Sequence, residues 1–223
     1  MKPLDVSVVI IARNEQSSID SAIRSAIEAG AVEVIVCDGG SQDQTIARAT
    51  SAGATKVIRS VPGRGIQLNA GAMFAKGEFV LFLHADNQLG EHCLQQICDC
   101  GDVVWGAFRQ DIDAKGRKYR WLEKGNALRV RWFKMAFGDQ AIFVNRSAFK
   151  KNGGFDEIPL MEDLEFSRRM REIATPVLLP GPVRISPRRW QQHGVIRQTL
   201  HNWSLQLAHK LGVPSSRLAN WYR

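Results

Sequence analysis

Three apolar runs constrain this chain more than any other feature: Val6-Ser7-Val8-Val9-Ile10-Ile11-Ala12, Val32-Glu33-Val34-Ile35-Val36-Cys37 and Phe79-Val80-Leu81-Phe82-Leu83. A strand that alternates apolar and polar residues covers one face of a core. A run apolar at nearly every position is buried on both faces, as in a parallel sheet sandwiched between helices. Between the runs lie stretches of helical period, such as Ser17 to Ala29 with Ile19, Ile23 and Ile27 on one stripe. The order predicts strand 6–12, helix 17–29, strand 32–37, helix 42–51, strand 56–58, helix 65–75 and strand 78–83. This is an α/β pattern: a Rossmann-like, mostly parallel sheet flanked by helices, with right-handed crossovers.

After Cys100 the rhythm loosens. A strand is expected over 103–110, a basic helix or loop over 118–134, a strand over 140–144 and a helix over 162–173. The Pro-rich stretch 176–187 carries one or two short strands, and helices close the chain at 195–211 and after Pro214. At 223 residues we read a single domain, residues 1–223. Its parts are a nucleotide-type half (about 1–100), a more irregular half (about 101–195) and C-terminal helices (196–223).

A net charge of +8 and a pI near 9.6 point to an anionic partner, and the excess lies in 117–134, 168–171 and 184–197. No apolar run approaches the ~20 residues of a membrane span. Met1 to Asp5 lead into a strand without a signal peptide, so the expected location is cytoplasmic, at most peripheral to the inner membrane face. The four cysteines make no disulfide framework, and the spacing of His92, Cys93, Cys98 and Cys100 matches no common zinc pattern.

The chemistry concentrates where apolar strands end, because open α/β sheets bind ligands at the carboxyl edge. Strand one ends in Ala12-Arg13-Asn14-Glu15, where Asn14 or Ser17 also reads as a helix cap. Strand two ends in Asp38-Gly39-Gly40-Ser41, with Asp38 a ligand for a base or ribose or else a turn residue. Pro62-Gly63-Arg64-Gly65 opens a helix whose arginine suits a diphosphate or simply solvent. His84-Ala85-Asp86 follows the third apolar run and offers an imidazole and a carboxylate to a divalent cation, or Asp86 caps a helix beginning near Gly90. Further on, Gly138-Asp139-Gln140 precedes a strand, and Glu162-Asp163 stands at a helix start, where a carboxylate is either dipole-stabilised or a base. Ser186-Pro187-Arg188-Arg189-Trp190 adds guanidiniums and an indole.

Taken in order, these motifs resemble the family 2 glycosyltransferases of GT-A fold. Val8 to Glu15 is similar to that family's first strand and Asn-Glu turn. Val34 to Ser41 is similar to its Asp-Asp-Gly-Ser loop, with Gly39 in place of the second aspartate. His84-Ala85-Asp86 stands where the family has Asp-x-Asp, one carboxylate short, and Arg188-Arg189-Trp190 looks like a shortened Gln-x-x-Arg-Trp element. The Gly-Arg-Gly-x-Gln loop, Gly-Asp-Gln and Leu-Met-Glu-Asp resemble a small branch labelled arsenosugar-biosynthesis glycosyltransferases.

The resemblance implies an inverting, metal-assisted transfer from a nucleotide sugar, with a UDP-sugar the expected donor, to a small-molecule or lipid-linked hydroxyl acceptor. Ala12, Glu15, Asp38 and Arg64 would hold the nucleotide, and Arg188 and Trp190 would close over its phosphates. Asp86, helped by His84, would bind Mn²⁺ or Mg²⁺. Asp163 would be the base, with Trp105, Asp139, Gln140 and Glu162 on the acceptor side. Two alternatives stand beside this. A sugar-phosphate nucleotidyltransferase would open with a Gly-rich loop, which Ala12 to Glu15 is not. A non-enzymatic basic module binding nucleic acid or membrane would leave the edge carboxylates unexplained, and no nucleic-acid partner is expected. In the terminal helix, Leu200, Trp203, Leu207 and Leu211 share a face ringed by Arg197, His201 and Lys210. That face is expected to pack on the domain or on a second copy rather than on a membrane surface.

Overall fold

The computed structural model describes residues 5–222; the expected leaderless start, Met1 to Leu4, lies outside the described residues. The chain runs β1 (Val6–Ala12), α1 (Ile19–Glu28), β2 (Glu33–Asp38), α2 (Thr45–Ser51), β3 (Lys56–Arg59), α3 (Arg64–Ala72) and β4 (Phe79–His84). It continues with β5 (Asn87–Leu89), α4 (Cys93–Asp99), β6 (Trp105–Ile112), α5 (Arg117–Phe133), β7 (Phe143–Asn145), α6 (Arg146–Lys151) and α7 (Glu162–Ile173). Last come β8 (Val177–Ile185), α8 (Arg188–His193), α9 (Val195–Lys210) and α10 (Ser215–Trp221).

One sheet spans the described chain in the order β3-β2-β1-β4-β7-β6-β8-β5. The first four strands are mutually parallel. β7 runs antiparallel to β4 and β6, β8 is parallel to β6, and β5 closes the far edge antiparallel to β8. The apolar runs divide as a pleat requires. Val6, Val8, Ile10 and Ala12 of β1 enter one core with α1 and α4, while Val9 and Ile11 enter the other with α3 and α7. β4 splits likewise, Phe79, Leu81 and Leu83 against Val80 and Phe82. The two polar residues within the first runs pair with each other: the Ser7 hydroxyl donates to Glu33 Oε1 at 2.6 Å.

Several elements differ from expectation. The strand expected over 140–144 is shorter and later, because residues Gly138–Gln140 form a 3₁₀ turn that buries Gln140. The stretch expected as a basic helix or loop over 118–134 is the helix Arg117–Phe133, closed by a left-handed Lys134. β5, α6 and α8 arise where no element was expected. Neither capping reading of the first loop is realised: the cap of α1 is Ser18, and the side chain of Asn14 instead accepts the N–H of Gln42 in the next loop. The expectation that the terminal helix packs its apolar face on the domain is corrected. Leu200, Trp203, Leu207 and Leu211 point outward, and Val195, Gln198 and Leu205 face in. No helix among the described residues is long and apolar enough to cross a membrane.

The carboxyl ends of β1 and β2 are stapled by one buried amide. Gln67 Nε2 donates to the carbonyls of Ala12 (3.0 Å) and Cys37 (2.9 Å). Gln67→Ala removes both bonds and leaves the Ala12 carbonyl only the N–H of Gly39 (2.9 Å), and urea unfolding is expected to show a loss of about 1–3 kcal/mol; unchanged stability would contradict the staple.

Candidate functional site

The parallel strands deliver their end loops to one edge, and the loops there are laced together. The N–H of Asn14 donates to the Ser41 hydroxyl (2.8 Å), that of Glu15 to Thr45 Oγ1 (2.9 Å) and that of Gln44 to Gln16 Oε1 (3.1 Å). Asp38 is fully buried; it accepts the N–H groups of Gly40 and Ser41 and the hydroxyl of Ser41. Its carboxylate shapes the turn from within. Gly39, where the related loops carry aspartate, is explained by the Gln67 amide, since a Cβ at residue 39 would lie 2.8 Å from it.

Beside these loops opens a cleft of about 760 Å³. Of the residues singled out from the sequence, Ala12, Glu15, Arg64, His84, Asp86, Asp139, Asp163, Arg188 and Trp190 line it. Asp38, Trp105, Gln140 and Glu162 do not. Trp105 is wholly buried, its indole N–H donating to the Ala174 carbonyl at 2.7 Å. It packs edge-on against Phe166 of α7, and therefore supports the helix carrying Asp163 rather than presenting a ring to a ligand. Gln140 is buried as well, its Oε1 accepting from Arg129 Nη2 at 2.6 Å.

Arginines and carboxylates interlock across the cleft. Arg188 bridges the ends of β1 and β4, 3.2 Å from Glu15 and 3.6 Å from Asp86. Arg64 Nε lies 3.3 Å from the buried Glu162 carboxylate. Burial opposes the charge on Arg64, but Glu162, Tyr222 and Asp163 outweigh it and its pKa is raised. Burial pushes Glu162 up to about 7, against the pull of Arg64 and with the help of Asp163, and its Oε2 has no hydrogen-bond partner. Burial and Arg64 push His84 down, which favours its neutral imidazole. Asp139 is pushed up by burial, and its Oδ1 is unpartnered.

Asp163 sits in the first turn of α7 with one oxygen accepting the N–H of Gly138 (2.8 Å) and the other the N–H of Leu164 (2.7 Å). Residue 138 has to be glycine for this approach, because a Cβ would come within 2.9 Å of His84 Nε2. Backbone strain gathers at the same place: Ala141 (φ 47°) and Met161 (φ 74°) are left-handed without being glycine, directly after Gly138–Gln140 and directly before Glu162.

The sequence reading missed one wall. α9 turns Gln198, Asn202 and Gln206 into the cleft, and Tyr222 stacks under Arg189 at 4.3 Å. The signal was present as polar residues at every fourth position, opposite the apolar stripe, and such a stripe ordinarily faces water.

A divalent cation is implied by the motifs, and the donor set at Asp86 bears on whether one fits. No group of three or more His, Cys, Asp or Glu side chains among the described residues could cage an ion. Asp86, with His84 two residues before it, instead suits a cation that takes its other ligands from a substrate diphosphate and water. A cationic group, the Arg188 guanidinium, already lies beside the Asp86 carboxylate.

S. aureus TarS (residues 1–349), solved in complex with UDP-GlcNAc, superposes with a TM-score of 0.66 at 19% identity, covering 82% of this chain and 58% of that one. M. tuberculosis glucosyl-3-phosphoglycerate synthase superposes with a TM-score of 0.57 at 20% identity, covering 82% of this chain and 70% of that one. These likenesses establish the α/β fold of GT-A type. An uncharacterized glycosyltransferase of Rickettsia bellii (strain RML369-C) is 34% identical over 106 residues, 48% of this chain. The matched region is only 34% of that relative's length. Residues 7–153 match the sequence profile of Glycosyl transferase family 2 as a whole, without reaching the arsenosugar branch. The chain belongs to glycosyl transferase family 2.

Proposed function

We propose that this chain moves a sugar from a nucleoside diphosphate sugar, UDP being the expected nucleotide, to a hydroxyl acceptor with inversion at the anomeric carbon. The observation that carries the reading is the meeting of Asp86, Arg64 and Arg188 with Asp163 around one cleft at the parallel strand ends. The division of labour follows chain order. The first hundred residues hold the nucleotide, residues 101–195 bring the acceptor and the base, and the terminal helices wall the cleft.

The nucleoside lies along Ala12 and Glu15, over the laced loops. Asp38 acts from behind, by holding the turn. Arg64, Arg188 and Arg189 neutralise the diphosphate, and Trp190 covers it; bidentate guanidiniums suit phosphate oxygens. Asp86, assisted by His84, would hold Mn²⁺ or Mg²⁺, which when bound supplies positive charge on the leaving diphosphate. Asp163 takes the proton of the acceptor hydroxyl as its oxygen bonds to the anomeric carbon from the face opposite the diphosphate. The bond to the diphosphate oxygen breaks, and its electron pair leaves with the nucleotide.

Two carboxylates sit side by side at the start of α7, and their settings separate their tasks. Glu162 is buried against Arg64 with its pKa raised to about 7, so it orients that arginine. Asp163 lines the open cleft and is the one that can reach an acceptor. The acceptor is a small molecule or a lipid-linked hydroxyl, met by Asp139, Gln198, Asn202 and Gln206.

Asp163→Asn keeps the shape and removes the base: turnover is expected to fall about 100- to 10,000-fold while donor affinity by calorimetry is retained. Normal turnover in that variant would refute the assignment. In Asp86→Ala, calorimetry is expected to show donor binding that no longer responds to Mn²⁺. A response equal to that of the wild type would contradict the cation site.

A further inference from the structure

Helix α9 is inside out for a helix on a globular protein. Its inward face buries only Val195, Gln198 and Leu205 and turns Gln198, Asn202 and Gln206 to the cleft, while Ile196, Leu200, Trp203, Leu207 and Leu211 are between 56% and 77% exposed. These five recur at steps of four, three, four and four residues. At 100° per residue they fall within an arc of about 80° and run about 22 Å along the helix. The orientation is pinned from below. Leu205 is buried in a cluster with Leu160, Met161 and Leu218, and His209 Nε2 bonds Glu165 Oε1 at 2.7 Å. The stripe therefore cannot turn inward without dismantling the cleft wall.

We propose that this stripe docks on a bilayer surface carrying anionic lipids, with α9 lying in the interfacial plane. Charge selects that occupant. From residue 173 to the end the chain contains no Asp or Glu, and the exposed Arg197, Lys210 and Arg217 lie on α9 and α10. In a two-fold dimer the same acid-free segment would face its own copy and like charges would oppose. Against anionic headgroups the same charges attract, and a tryptophan among leucines suits the interface. A single such helix gives reversible peripheral binding. This docking stands on the outward stripe and its charge, independent of which reaction the cleft performs.

The test is co-sedimentation of the full chain, without donor or acceptor, with vesicles of phosphatidylglycerol and phosphatidylcholine or of phosphatidylcholine alone. The wild type is expected to bind the anionic vesicles, to prefer them over the neutral ones and to be released by salt. Leu200→Ser/Trp203→Ser/Leu207→Ser is expected to lower that binding about tenfold or more with melting temperature unchanged. The wild-type lipid preference and salt release test the claim even if the triple variant folds poorly. No binding to anionic vesicles at low salt, or undiminished binding by a folded triple variant, overturns the proposal. So does a wild-type dimer that the triple variant dissociates, which makes the stripe a contact between copies. Loss of binding only on Trp121→Ser/Trp132→Ser, the exposed tryptophans of α5, overturns it as well.

Discussion

Parallel strands end at the same edge, and the whole cleft depends on that constraint. β1, β2 and β4 are buried on both faces, so their end loops have nowhere to go but the common rim. The chain then stiffens this rim with its own polar groups. The Gln67 amide ties the Ala12 and Cys37 carbonyls at the ends of β1 and β2, Asn14 donates its N–H to Ser41 and accepts that of Gln42 across the two loops, and Asp38 holds the second loop from inside. A rim built this way presents backbone and side-chain groups to a ligand without having to order them on binding, which favours affinity.

The second half of the chain meets that rim by a different device. β7 enters antiparallel beside β4, which brings Gly138 against His84 and lets its N–H hold Asp163. The aromatic residues beneath, Phe82, Phe155, Phe166 and Trp105, fix α7 in turn, with Phe155 and Phe166 stacked at 4.3 Å. Glu162, a charge that would be costly to bury singly, is matched by the half-buried Arg64, with Asp163 beside them at the cleft. The orphaned oxygens of Glu162 and Asp139, like the strained Ala141 and Met161, sit at this junction.

Where one residue's surroundings are set by its neighbours in sequence, the reading from sequence succeeded. β1 and α7 have the expected boundaries because a run apolar at all but one position and a three-acid first turn each specify their element locally. β5 was not legible, since Asn87-Gln88-Leu89 becomes a strand only by pairing with β8, almost a hundred residues on. Trp105 illustrates the limit for site residues: an indole reads equally as a ligand platform or as core, and only packing against Phe166 decides. Asp38 and Glu162 have the right chemistry for a site yet lie behind it, one bonding a turn and the other an arginine. α9 was misjudged because its polar stripe lines a cleft and its apolar stripe faces out, the reverse of the usual arrangement.

The central claim is that this cleft holds a nucleoside diphosphate sugar, and thermal unfolding with a panel of such sugars tests it most directly. A true donor stabilises the fold by mass action, about 2.7 kcal/mol at a hundred times its Kd. The account predicts that at least one UDP-sugar raises the melting temperature, and raises it further with Mn²⁺. A melting temperature indifferent to every nucleoside diphosphate sugar at saturating concentration, with and without Mn²⁺, would contradict it.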